Sequence, residues 1–177
     1  MKIAIISDTH DNLANFKKAI SQIKKEKIKL LIHCGDIFEP ETAKEALRDF
    51  SGKAHFVLSD VDKEYFENVE NNYFSNSSKI KIWQNFGEIK IDEKQIAFTH
   101  PPKTAMKLAL SQKYDIVFYG HLHKPWEATP HQSKLGTGQE IKKTRLVNPG
   151  NIAGLFFRAT FAVYDTKTDK LKLQILD

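Results

Sequence analysis

Short apolar runs alternate with amphipathic stretches along the first third of the chain, and each run stops abruptly at polar residues. Residues 2–7 (K-I-A-I-I-S), 28–33 (I-K-L-L-I-H) and 54–58 (A-H-F-V-L) are such runs. Continuous short apolar segments mark strands covered on both faces. Between the first two, Leu13, Phe16, Ile20 and Ile23 recur at helical spacing, with Asp11 or Asn12 placed to cap the start. After Pro40 a second helix is expected to bury Ala43, Ala46, Leu47 and Phe50. This βαβαβ order implies a parallel sheet with right-handed crossovers.

The rhythm then changes. Residues 79–83 alternate, and 87–99 reads as a hairpin turning near Asp92 and Glu93. A short helix near 103–112 leads to a strand over 114–119. Residues 126–143 are polar and contain glycine, which suggests a long surface loop or hairpin, and 159–165 and 170–176 read as two antiparallel strands. The expected fold is α/β: one parallel-rich and one mixed sheet packed face to face, with helices outside, in a single domain over residues 1–177.

Composition narrows the class. Hydrophobic residues make up 41% and charged residues 28%, as in a soluble globular protein, and no apolar stretch approaches the roughly 20 residues that span a bilayer. The N-terminus reads as a first strand rather than a signal peptide. The single cysteine, Cys34, rules out an internal disulfide and fits a reducing compartment, so a cytoplasmic location without membrane association is expected. Net charge is +5, yet of 27 basic residues only Arg48, Arg145 and Arg158 are arginine, the residue that grips phosphates bidentately. Nucleic acid is therefore not an expected partner, and the lysine-rich run at 24–29 is read as solvated surface.

The chemistry lies where the strands end. Asp8-Thr9-His10, Gly35-Asp36, Ser59-Asp60-Val61-Asp62, Thr99-His100 and Gly120-His121-Leu122-His123 each follow an apolar run. Any one of them alone is an ordinary loop. Open α/β sheets, however, place their sites beyond the carboxyl ends of strands. Five such ends together would gather three carboxylates and four imidazoles in one cleft. Clustered carboxylates repel, and two divalent cations would offset that repulsion. Gly35 and Gly120 would permit the bends and close approaches that convergence needs.

The motifs S-D-T-H-D-N, H-C-G-D, Y-G-H-L-H-K-P and V-N-P-G-N, in this order, resemble the calcineurin-like metallophosphoesterase superfamily, and more closely its small YfcE-like phosphodiesterases. The resemblance implies a four-layer α/β/β/α sandwich. It implies a first metal on Asp8, His10 and His123, a second on Asp60, His100 and His121, and Asp36 bridging both. It also implies a dinuclear phosphodiesterase or phosphatase whose nucleophile is a metal-bridging hydroxide and whose substrate is a small phosphoester. Manganese is the expected ion, with nickel, iron or zinc as alternatives suited to mixed N/O ligands. Asn12, at the mouth of the first helix, and Arg158, beside Leu155-Phe156-Phe157, are expected to contact substrate. Cys34 is read as core.

At 59–62 the chain departs from that family's G-N-x-D pattern. Asp60 puts a carboxylate where the family has an amide, Ser59 replaces a glycine, and Asp62 could compete as a ligand. Position 61 is valine, whereas larger relatives carry a histidine there that assists the leaving group, so substrates with good leaving groups are expected. The alternative function is of a different class: a protein-interaction scaffold on the same fold, resembling a retromer subunit, with Leu155, Phe156 and Phe157 as its partner surface. Those three residues could equally be core or a contact between copies in a homo-oligomer.

Overall fold

The computed structural model describes residues 1–67, 77–129 and 144–176. The first sheet is built on strands β1 (Lys2–Ile6), β2 (Leu30–His33), β3 (Lys53–Val57), β4 (Ile80–Trp83), β10 (Thr160–Asp165) and β11 (Lys170–Ile175). Their order across the sheet is β11-β10-β1-β2-β3-β4, with β1 to β4 parallel and β10 and β11 antiparallel. The second sheet takes β5 (Phe86–Ile91), β6 (Lys94–Thr99), β7 (Ile116–Tyr119), β8 (Trp126–Ala128) and β9 (Arg145–Asn148) in the order β5-β6-β7-β9-β8. Both sheets are mixed. The anticipated hairpin is β5–β6, turning at Asp92, whose φ is +50°. Of the stretch 126–143, the first three residues form β8 against β9, and 130–143 lies outside the described residues.

Strand alternation sorts the core into layers, because successive side chains point to opposite faces. Ala4, Ile6, Leu31, Ala54 and Phe56 face outward from the first sheet and bury Phe16, Ala19, Ile20 and Ile23 of α1 (Leu13–Lys25) with Ala43, Ala46 and Leu47 of α2 (Pro40–Leu47). Ile3, Ile5, Leu30, Ile32, Cys34 and Val57 face inward and meet Ile96, Phe98, Ile116, Phe118 and Val147 of the second sheet. The far face of that sheet, through Ala97, Val117, Tyr119 and Leu146, carries Ala105 and Ala109 of α4 (Pro102–Leu110). The layers run α/β/β/α, as the resemblance implied.

One helix has no apolar stripe to announce it. Helix α3 (Asp60–Glu67) begins directly where β3 ends. Ser59 Oγ accepts the Asp62 N–H at 3.1 Å while the Asp62 carboxylate accepts the Ser59 N–H at 3.0 Å, a reciprocal pair that caps the helix start. Ser59 is thus a helix cap, not a strained stand-in for glycine.

Candidate metal centre

Four loops at the carboxyl ends of the strands are tied to one another. Asp8 N–H donates to Gly35 O, Thr9 N–H and His10 N–H to Asp36 O, and Asp11 N–H to Ile37 O, at 2.7 to 3.1 Å. His121 N–H donates to both oxygens of Asp8, at 3.0 and 3.1 Å. Ile152 N–H and Ala153 N–H donate to Ser7 O and Asp8 O. Asn148 Nδ2 donates to Gly120 O and Asn151 Nδ2 to His123 O, each at 3.0 Å. His33, fully buried, clamps the first two loops from below: its Nδ1 accepts the Gly35 N–H at 3.1 Å, so its Nε2 proton goes to Thr9 Oγ1, 2.8 Å away.

The backbone in these loops is unusual. Asp8, His10, Asp36, His121 and His123 have φ of +52°, +43°, +57°, +75° and +58°. Left-handed φ in residues other than glycine is sparsely populated and persists where surrounding structure over-determines it. Here the loop-to-loop hydrogen bonds supply that constraint. Close approach explains the two glycines. A Cβ at Gly35, whose own φ is +95°, would lie 2.7 Å from His100 Nδ1, and one at Gly120 would lie 2.1 Å from Ser7 Oγ.

The result is two groups of metal-capable side chains: Asp8, His10 and His123 in one, and Asp36, His100 and His121 in the other, with ligand atoms in each within 4.8 Å of one another. His10 Nε2 and His123 Nε2 are 3.1 Å apart, and His123 Nε2 is 3.4 Å from Asp8 Oδ1. Asp36 lies between the groups, its Oδ2 being 3.8 Å from His10 Nε2 and 3.5 Å from His100 Nε2. His100 Nδ1 is 2.9 Å from Cys34 O. A carbonyl only accepts, so Nδ1 carries the proton and Nε2 presents a lone pair to the cleft, the orientation a metal-binding imidazole requires. The donors are nitrogen and carboxylate oxygen without thiolate, since Cys34 is buried between the sheets. This set fits borderline divalent ions.

Electrostatics agree with geometry. Burial opposes ionisation of Asp8, but His123 beside it outweighs that effect and holds the carboxyl below its ordinary range. The Asp8 partner raises His123, whereas burial lowers His10 despite Asp36 and Asp8 beside it.

Two carboxylates, not three, meet the four imidazoles. Asp60 belongs to neither group: its side chain is 95% exposed and pairs with Lys63 at 2.8 Å, because position 60 opens the first turn of α3 and faces solvent. It does line the same cleft as Asp36, His100 and His121. Asp62 is no competing ligand. Its carboxylate accepts the backbone N–H groups of Asp36, Ile37, Phe38 and Ser59 at 2.8 to 3.0 Å and so holds the Asp36 loop. Asn12 has both side-chain polar atoms engaged, Oδ1 capping α1 through Asn15 N–H and Nδ2 donating to Ala153 O. Arg158 is exposed on the segment leading into β10.

Leu155, Phe156 and Phe157 are not core: they are 45%, 91% and 42% exposed. The Phe156 ring, on a backbone with φ of +63°, is centred 6.0 Å from that of His123. Phe38 packs edge-on to His10 at 4.8 Å and stacks on Tyr65 at 6.1 Å. Sequence reasoning passed over Phe38, Tyr65, His33 and the two asparagines. The last three lie inside H-C-G-D and V-N-P-G-N, so their position beside ligand loops was the available signal.

A profile of the calcineurin-like phosphoesterase superfamily domain matches residues 1–169. Phosphodiesterase MJ0936 of Methanocaldococcus jannaschii is 28% identical over 180 residues, covering the whole of both chains. A solved structure described as a novel archaeal phosphodiesterase superposes with a TM-score of 0.76 at 26% identity, over 99% of this chain and all of that one. At 14% and 16% identity the fold alone is shared with the YfcE phosphoesterase of E. coli (TM-score 0.61, 100% of each chain) and with zinc-bound Vps29 of Entamoeba histolytica (TM-score 0.63, 100% and 99%). With its strand-end aspartates and histidines already gathered as two N/O donor groups, the chain belongs to the calcineurin-like phosphoesterase superfamily, a class of metal-dependent phosphoester hydrolases.

Proposed function

We propose that the protein is a dinuclear metal-dependent phosphodiesterase. The observation that carries this reading is the placement of Asp36, one of whose oxygens faces an imidazole of each donor group. Asp8, His10 and His123 would hold one cation and Asp36, His100 and His121 the other, with Asp36 shared. Asp60 is the candidate further ligand at the second position, since it lines that cleft and is restrained only by an exposed ion pair. Bound divalent ions supply Lewis-acid charge for phosphoryl oxygens and lower the pKa of water. Manganese is the ion we expect, with nickel, iron or zinc as alternatives that the mixed imidazole and carboxylate donors also suit.

The chain's own residues do the rest. Asp62 and His33 fix the Asp36 and Asp8 loops before substrate arrives, which spares reorganisation during reaction. Val61 borders the cleft and offers no proton, so the leaving group must depart without an acid from that position. Phe38 stands against His10 and Phe156 against His123, and the two rings favour substituents with flat apolar faces. Activated aryl phosphodiesters meet both conditions.

The test joins metal analysis of the purified protein to hydrolysis of bis(p-nitrophenyl) phosphate with manganese, nickel or magnesium. Turnover that depends on a transition metal and disappears in His121→Ala supports the reading; full metal loading without turnover on any phosphoester overturns it. The exposure of Leu155, Phe156 and Phe157 favours a second reading, an interaction scaffold on this fold. That outcome of the same experiment would point to it.

A further inference from the structure

At the other end of the first sheet, away from the metal loops, a cavity of about 700 Å³ opens between the starts of β2 and β3 and the edge strand β5. Its volume lies within the range of small-molecule sites, roughly 300–1,000 Å³. Leu30, Ile89 and Ile91 supply an aliphatic floor, and Lys29, Lys53, Lys79 and Lys90 stand around it. Among the described residues no acidic side chain lines it, although acids are interspersed with lysines elsewhere in the chain. The Met1 amine at its margin is already paired with Asp92, Lys29 reaches Ser51, and Lys90 lies 3.6 Å from Glu93. Among the described residues, Lys53 and Lys79 have no carboxylate partner for their ammonium groups.

His55 joins the floor to the positive rim. Its Nδ1 accepts the Trp83 indole N–H at 3.2 Å, which leaves Nε2 as the protonated nitrogen of a neutral ring. Burial, with the charges of Lys81 and Lys53, drives its titration down to about 4, so the ring is neutral. An aliphatic floor rimmed by lysine ammonium groups suits a molecule that brings both an anion and an alkyl body, because either half alone leaves the other surface unsatisfied.

We propose that this cavity binds a free amphiphile with a carboxylate or phosphate head and an alkyl body, the head between Lys53 and Lys79 and the body against Leu30, Ile89 and Ile91. The site is independent of the phosphodiesterase reading, since it shares no residue with the metal centre.

The probes are decanoate, decyl phosphate and, as the charge-reversed control, decylamine. They are titrated into the full chain loaded with a diamagnetic divalent ion, by calorimetry and by following the resonances of His55, Leu30, Ile89 and Ile91. We expect one saturable site for at least one anion, moving those four residues; whether decanoate or decyl phosphate wins identifies the head. Lys53→Glu/Lys79→Glu, at exposed positions, should weaken it about tenfold or more, and Lys53→Arg/Lys79→Arg should restore it. Equal binding of decylamine, affinity unchanged by charge reversal, perturbation only at the metal loops, or no binding by either anion would each overturn the proposal. So would uptake solely onto anionic vesicles, which would make the surface, not the cavity, the binding element.

Discussion

The Asp62 carboxylate holds Asp36 in place by accepting its backbone N–H at 2.8 Å, so an acid that touches no candidate ligand atom determines where a candidate ligand stands. Three further N–H groups converge on the same carboxylate. Truncation would leave all four donors without it. Asp62→Ala is therefore expected to lower unfolding free energy by about 2–5 kcal/mol, at about 1–3 kcal/mol per unsatisfied buried group and with partial relaxation. Urea denaturation reads the loss, and divalent-ion affinity should fall with it. Unchanged stability would show that the loop holds its shape without the carboxylate.

Asp60 should behave differently. An exposed ion pair such as Asp60–Lys63 is worth about 0–1 kcal/mol, too little to keep the carboxylate from a neighbouring cation. Asp60→Asn is expected to weaken the second equivalent of metal about tenfold, while the first equivalent and the fold stay as they are. Stepwise calorimetric titration with manganese separates the two. Identical isotherms would leave Asp60 as a surface residue.

Phe156 tests the aromatic flank. With an aryl phosphodiester, Phe156→Ala should reduce kcat/KM about three- to tenfold, the worth of one ring contact, while a dialkyl phosphodiester reacts nearly as before. An equal loss on both substrates would assign the residue to loop shape instead.

The buried clamp carries a pH signature. His33 is neutral in the folded chain because burial pushes its titration down to about 3 from the usual 6.5. Below pH 6.5 the unfolded chain takes up a proton that the folded chain refuses until about 3. Stability from this group is complete above 6.5 and is lost as pH falls through that window, by up to about 1.4 kcal/mol per pH unit. Unfolding free energies measured from pH 7 to 5 should fall more steeply in the natural chain than in His33→Gln. Parallel slopes would mean that His33 is protonated in both states alike.

How much of this was readable in advance varies by element. Apolar runs located β1, β2, β3 and β7, and polar termination exposed Asp8, Asp36, His100, His121 and His123, because buried strands and strand-end sites leave separate marks in a sequence. Helix α3 left almost none: D-V-D-K-E-Y-F-E has no apolar stripe, and its cap, Ser59 with Asp62, sits where a ligand motif was expected. In the sequence Asp62 therefore resembles a competing ligand rather than a support. For Leu155, Phe156 and Phe157 the sequence leaves core, partner surface and contact between copies open, and the left-handed backbone that lifts Phe156 into solvent excludes the first.

The left-handed residues at the metal loops carry a last consequence. Their conformations are held by hydrogen bonds from neighbouring loops, and the donor atoms of each group lie within 4.8 Å of one another. Arriving ions meet a frame of fixed dimensions and must suit it, rather than drawing soft loops around themselves. Discrimination among cations then rests on radius and donor preference, and a substitution that loosened the frame would broaden the range of ions accepted before it reduced how tightly any is held.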